Sequence, residues 1–205
     1  MSNDVKPLAA ALCCAMTTLA AARDVGPPGS SDEVRGVLAV RAGVALPFGS
    51  ARAGVAIGDL LSGAVPLSIE LGARGDATTV GFQLSYARAF VAACPRDASC
   101  SGDMMRAGLE VLYRFSPGER VSTWAGAGLG WEGSRFAIGA RRTRLDALEL
   151  LNLQLGREVT LRRGTTLGPY LAATFAQFLE QDGTPIAEKA PHAWIELGFR
   201  GAFGL

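Results

Sequence analysis

The chain has 205 residues and a formal net charge of +1, which removes any bulk electrostatic argument for a nucleic acid or a strongly acidic partner. Its length suits one domain. Hydrophobic residues make up 49% but aromatics only 7%, beside 26 glycines, a balance that disfavours a bulky soluble core and favours tight turns and small-residue strand faces.

Taken in order, Met1 to Lys6 is short and polar, Pro7 to Met16 is apolar, and Ala20 to Ala22 supply small residues before Arg23. That is the outline of a secretory signal peptide over residues 1–22. The apolar stretch is too short for the roughly 20 residues a spanning helix needs. Cys13 and Cys14 follow Leu12 and Cys13, where a lipidation site would carry a small residue. Residues 23–33 are rich in Pro, Gly and Ser and read as a flexible linker.

From Val34 the chain alternates with period two. Val34, Leu38, Val40, Val44 and Leu46 share one face, opposed by Arg35, Arg41 and Gly43. Val65, Leu67, Ile69 and Leu71 then oppose Ser68, Glu70, Gly72 and Arg74, and Val80, Phe82, Leu84 and Tyr86 oppose Gly81, Gln83 and Ser85. The cleanest run sets Met105, Leu109, Val111, Tyr113 and Phe115 against Arg106, Gly108, Glu110, Leu112 and Arg114. Residues 125–131 alternate in the same way, and the last run sets Ile195, Leu197, Phe199, Phe203 and Leu205 against Trp194, Glu196, Gly198 and Arg200. No helix produces this pattern. Two runs are weaker. In 145–161, Glu149 and Arg157 fall on the apolar parity, and 167–178 is apolar on both faces. Counted together there are eight strands, an even number that lets an up-and-down antiparallel sheet close without edges.

The connections alternate in length: long at 47–63, 92–103, 133–144 and 180–190, and short at 75–76, 116–119 and 162–164. Such segregation fits an all-β, eight-stranded transmembrane barrel spanning 34–205, with both ends on the short-turn side. The polar parity decides which face is inside. A soluble lipocalin-like barrel would enclose its apolar face around a ligand, whereas a membrane barrel turns it outward. Arg41, Glu70, Arg106, Glu110, Arg114, Glu132, Glu196 and Arg200 share the polar face with many glycines. Small residues beside long ion-pairing ones suit a narrow packed lumen, so these eight are expected to form a lumen ion-pair network.

Gly128-Leu129-Gly130-Trp131-Glu132-Gly133 satisfies the G-x-G-x-x-G pattern, but no helix follows to receive a pyrophosphate. Gly126, Gly128 and Gly130 are expected instead to thin the lumen wall so that neighbouring charged side chains fit. On that reasoning Gly108→Ser should be far milder than Leu109→Arg. Cys94 and Cys100, close together in an exported chain, are expected to form a disulfide that shapes a loop. The loop over 47–63 carries Val55 to Leu61 (VAIGDLL), apolar enough to cap the barrel or touch the membrane interface.

At this level the chain resembles the small eight-stranded outer-membrane β-barrel proteins of Gram-negative bacteria, in the OmpX and OmpW-like class, over residues 34–205. The alternation, the segregated loops, Gly126-x-Gly128-x-Gly130 and the closing 196–205 segment carry the resemblance, although Leu205 stands where such chains usually end in an aromatic. It implies an outer-membrane monomer in contact with outer-membrane lipids, lipopolysaccharide and the barrel assembly machinery, with a structural or surface role and at most limited small-solute transport. No catalytic, cofactor or metal residues are expected. The competing readings are a secreted ligand-binding barrel and a lipid acyl hydrolase. The latter would use His192, the single histidine, with Ser99, Ser101 or Ser134 from outer loops.

Overall fold

The computed structural model describes residues 34–92, 94–162 and 164–205. The expected signal peptide (1–22) and linker (23–33) lie outside the described residues. The strands in chain order are β1 (Arg35–Arg52), β2 (Val55–Ala56), β3 (Leu61–Arg74), β4 (Thr78–Val91), β5 (Cys100–Arg114), β6 (Val121–Ile138), β7 (Arg141–Arg162), β8 (Thr165–Gln181), β9 (Thr184–Pro185) and β10 (Pro191–Gly204). β2 and β9 are two-residue pieces. The other eight pair antiparallel in the order β1-β3-β4-β5-β6-β7-β8-β10, and β10 pairs back to β1. The result is a closed eight-stranded barrel in which each of these strands has two neighbours. Its two described ends meet at the short-turn end, where the Leu205 N–H donates to the Gly36 carbonyl.

The alternation in sequence maps onto the two faces. Leu109 and Val111 are 53% and 48% exposed on the outside, while Arg106 and Glu110 of the same strand are 9% and 4% exposed inside. The outer surface is a belt of Leu, Val, Ile and Phe that no water-soluble barrel would present on this scale.

Four expectations change. Residues 133–144 are not a long loop: β6 and β7 continue to Ile138 and from Arg141, joined by Gly139 and Ala140, with Gly139 at φ 58°. Backbone pairing persists there after the outward apolar residues have given way to Arg135, Arg142 and Arg144, so the hydrophobic period ends before the strand does. Ser134 accordingly lies on β6, fully buried and facing inward, and is not a loop residue. Glu149 also faces inward, 7% exposed, because a β-bulge at Leu150 places Leu150 and Leu151 both outside and resets the parity. Arg157 remains outside, near the short-turn end.

The fourth change concerns the glycines. Gly108 pairs with Gly130, Gly72 with Gly81 and Gly43 with Gly198. A Cβ added at Gly108 would stand 2.7 Å from the Leu129 carbonyl oxygen and 3.3 Å from the Gly130 Cα. The obstruction is the backbone of the next strand rather than a charged side chain, so these glycines let adjacent strands close on each other at the tight curvature of a small barrel. Gly108→Ser is therefore expected to destabilise the barrel, by about 1–3 kcal/mol as in other overpacked sites, measured by urea unfolding of the lipid-reconstituted protein. Stability equal to the parent would return these glycines to a space-making role only.

The connection between β4 and β5 is closed by a disulfide between Cys94 and Cys100, whose Cα atoms are 5.9 Å apart. Six positions separate the cysteines. So short a loop removes little chain entropy, and the bond should contribute about 2 kcal/mol or less. Reduction should leave the heat-modifiable migration of the barrel on gels unchanged.

Candidate functional site

The lumen is the candidate site, and it is layered. Nearest the short-turn end, Val37, Ala39 and Ala202 form a small apolar layer. Above it Arg200, on β10, reaches Glu70 of β3 through Nη2 at 2.7 Å and Nε at 3.0 Å, and through Nη1 it pairs with Glu158 of β7. Glu158 also lies 3.6 Å from Arg114 and accepts from the Thr166 hydroxyl at 2.9 Å. Arg114 donates to Thr79 at 3.2 Å. Arg41, on β1, pairs with Glu70 through Nε and with Glu110 of β5 through Nη2 at 3.1 Å. The Arg41 and Arg200 guanidinium groups stand 5.7 and 5.3 Å from the ring centre of the buried Trp124, which adds cation–π attraction to the ion pairs.

A second layer follows. Arg106 reaches Glu132 at 3.2 Å and lies 5.4 Å from the Trp194 ring. Glu132 also accepts from the Ser134 hydroxyl and the Trp194 indole N–H, each at 3.3 Å. A chain of amides extends across the same level: Gln154 donates to Glu110 at 3.0 Å and to Asn152 at 2.7 Å, and Asn152 donates to Thr174 at 2.8 Å. Between the layers lies a cavity of about 20 Å³, room for about one water.

Of the eight charged residues expected from sequence, Arg41, Glu70, Glu110 and Arg200 meet in one cluster, and Arg114 joins it through Glu158. Arg106 and Glu132 form a separate pair. Glu196 is held by the Tyr170 hydroxyl. Two buried carboxylates were missed. Glu158 sits on the polar parity and was legible there, whereas Glu149 was concealed by the bulge.

Toward the long-loop end the lumen turns apolar. Met104, Phe136, Leu145, Phe178 and Trp194 pack with several alanines, and Ile57 and Leu61 from the 47–63 connection enter the same cluster. Ile57 belongs to a single helical turn, Ile57–Leu60, so VAIGDLL caps the barrel from above. Beside this plug an open cleft of about 200 Å³ is lined by Val55, Leu60, Phe136 and Ile138, with Arg52 and Arg141 at its edge.

His192 lies in the plug, 2% exposed, its ring stacked on Phe178 at 4.0 Å and its Nε2 3.4 Å from Glu132. The Ser134 hydroxyl donates to Glu132 and not to His192. Among the described residues no group of three or more His, Cys, Asp or Glu side chains is placed to hold a metal ion.

No family model matches the chain, and no curated protein sequence does. The structure is similar to that of Neisserial surface protein A (NspA), at 15% identity over 80% of this chain and 95% of that one, with a TM-score of 0.52. It is also similar to outer membrane protein AlkL, solved in DMPC lipid bilayers, at 18% identity over 89% and 96% of the two chains, with a TM-score of 0.50. The fold of this chain is thus that of the small eight-stranded outer-membrane barrels.

Proposed function

We propose that this chain is an outer-membrane protein whose barrel is a closed scaffold holding its long-loop end at the cell surface, without a conducting path through its centre. The observation that carries this reading is the filled lumen: two ion-pair layers beneath an apolar plug, with space for about one water between them. Paired buried charges of both signs offer a permeant ion neither a site nor a path. The apolar outer belt needs lipid around it, and the expected signal peptide and linker would deliver the chain to the envelope. Outer-membrane lipids, lipopolysaccharide and the assembly machinery are the partners of such a barrel, which works here as a monomer.

An acyl-hydrolase role has little support. Ser134, Glu132 and His192 are close, but all three are buried within the barrel, His192 in the plug itself, and the serine lacks a hydrogen bond to the imidazole that would activate it. Limited traffic of a small apolar solute draws on one specific feature, the cleft beside the plug.

The full-length mature protein, reconstituted in planar bilayers, should insert and give no discrete current steps, while unheated samples migrate as a compact barrel. Regular single-channel openings would overturn the closed scaffold, and failure to insert would overturn the membrane assignment.

A further inference from the structure

The β6–β7 hairpin carries an arginine cluster on its outward side that the lumen does not use. Ascending β6 toward the tip, the outward residues are Leu129, Trp131, Gly133 and Arg135; descending β7 from the tip they are Arg142, Arg144, Asp146 and Leu148. Arg135 stands directly opposite Arg144, and Arg142 is opposite Ala137, one outward position further up. Like charges directly opposite on one face of a sheet repel, so this arrangement is unfavourable unless something anionic lies between them.

The nearby carboxylates are largely engaged. Asp146 is held by Arg144 at 2.8 and 3.0 Å, and Asp182 accepts the Arg144 backbone N–H at 2.7 Å. Asp103 stands in register between Arg88 and Arg135, one carboxylate for two guanidinium groups. Among the described residues, neither Arg135 nor Arg142 has an ion-pair partner. Both border an open cleft of about 470 Å³, together with Arg144, Ser99 and Ser101.

Height relative to the apolar belt identifies the occupant. Trp131 and Tyr86 lie just below this level on the outside, 40% and 50% exposed, the position of an interfacial aromatic girdle. One outward position above Trp131 on β6 is Gly133, and the next is Arg135. Guanidinium groups at that height meet headgroups, and their planar forks match phosphate oxygens. The wall below them, Trp131 and Leu148, is apolar and continuous with the belt, so acyl chains can pack beneath a phosphate held above.

Resting on the membrane assignment proposed above, the geometry points to a binding site for the phosphate groups of outer-leaflet lipids, with Arg135 and Arg142 as its principal ligands. The site is a point of attachment for a phosphorylated glycolipid on one side of the barrel.

The test uses the full-length protein in dodecyl maltoside, which carries no phosphate, titrated with diphosphoryl lipid A and with its dephosphorylated form, and read by native mass spectrometry. The phosphorylated lipid should bind about tenfold tighter or more. The double variant Arg135→Gln/Arg142→Gln should lose that preference and keep its compact migration, while Arg88→Gln should keep both. Millimolar inorganic phosphate should not displace the lipid; displacement would overturn the assignment to lipid. Equal binding of the two lipid forms, or an unchanged preference in the double variant, would overturn the site itself. Insertion into lipid vesicles is scored separately: protein that does not insert sinks the membrane assignment, whereas inserted protein without phosphate preference sinks only this site.

Discussion

Leu109→Arg should destabilise the folded barrel by about 2–4 kcal/mol and leave most of the chain unassembled, because it places a guanidinium in lipid near the middle of the apolar belt. Leu109 lies between Phe82 of β4 and Leu129 of β6 in the ladder, and all three point outward. No carboxylate shares that face at this level. The lumen glutamate next along the strand, Glu110, points the other way and already serves Arg41 and Gln154. Leu109→Ala, which keeps the site apolar, should assemble close to normally. Folded fractions after dilution from urea into lipid vesicles, followed by heat-modifiable migration, would report both. If the arginine variant assembles as well as the alanine variant, the apolar face is not in contact with lipid.

Arg200→Met should be comparably damaging for the opposite reason, since it removes a cation from inside. Arg200 is 1% exposed and bridges Glu70 to Glu158, so its loss leaves three carboxylates (Glu70, Glu110 and Glu158) to two arginines (Arg41 and Arg114). Breaking a buried pair from one side costs about 3–5 kcal/mol, most of it the penalty of the stranded charge. Adding Glu70→Gln restores the balance of charge and should recover part of the loss. An unfolding free energy in urea within about 1 kcal/mol of the parent for Arg200→Met alone would mean that water already compensates these groups.

Much of the barrel could be read from period-two alternation, because the membrane-type arrangement makes one face apolar and the other polar over the whole width of the belt. Leu109, Val111 and Tyr113 against Arg106, Glu110 and Arg114 needed no other information. The reading failed where that contrast disappears. Beyond Trp131 the outward residues become charged, so β6 and β7 lose their signature although the ladder runs on to Ile138 and Arg141. Toward the long-loop end the inward face becomes apolar too, with Met104, Phe136, Phe178 and Trp194, and parity no longer separates inside from outside. The ion-pair partners were illegible for a different reason: sequence places Arg200 on the lumen side, but only the register of five strands brings it to Glu70 and Glu158.

The bulge at Leu150 has a consequence for chain length. Gly128 and Gly130 of β6 pair with Asn152 and Glu149, and Ala176 and Phe175 of β8 pair with Glu149 and Leu151. Both neighbouring strands thus step past the same surplus residue. Removing Leu150 would leave Glu149 inward, Leu151 outward and Asn152 inward, a ladder with no misfit on the β6 side. β7 therefore carries a one-residue insertion that β6 absorbs without changing its own count, while β8 answers it with a surplus residue of its own, Leu179, between its pairings with Asp146 and Ala147, so that strand length can drift in single steps at this level while the lumen charges stay in place.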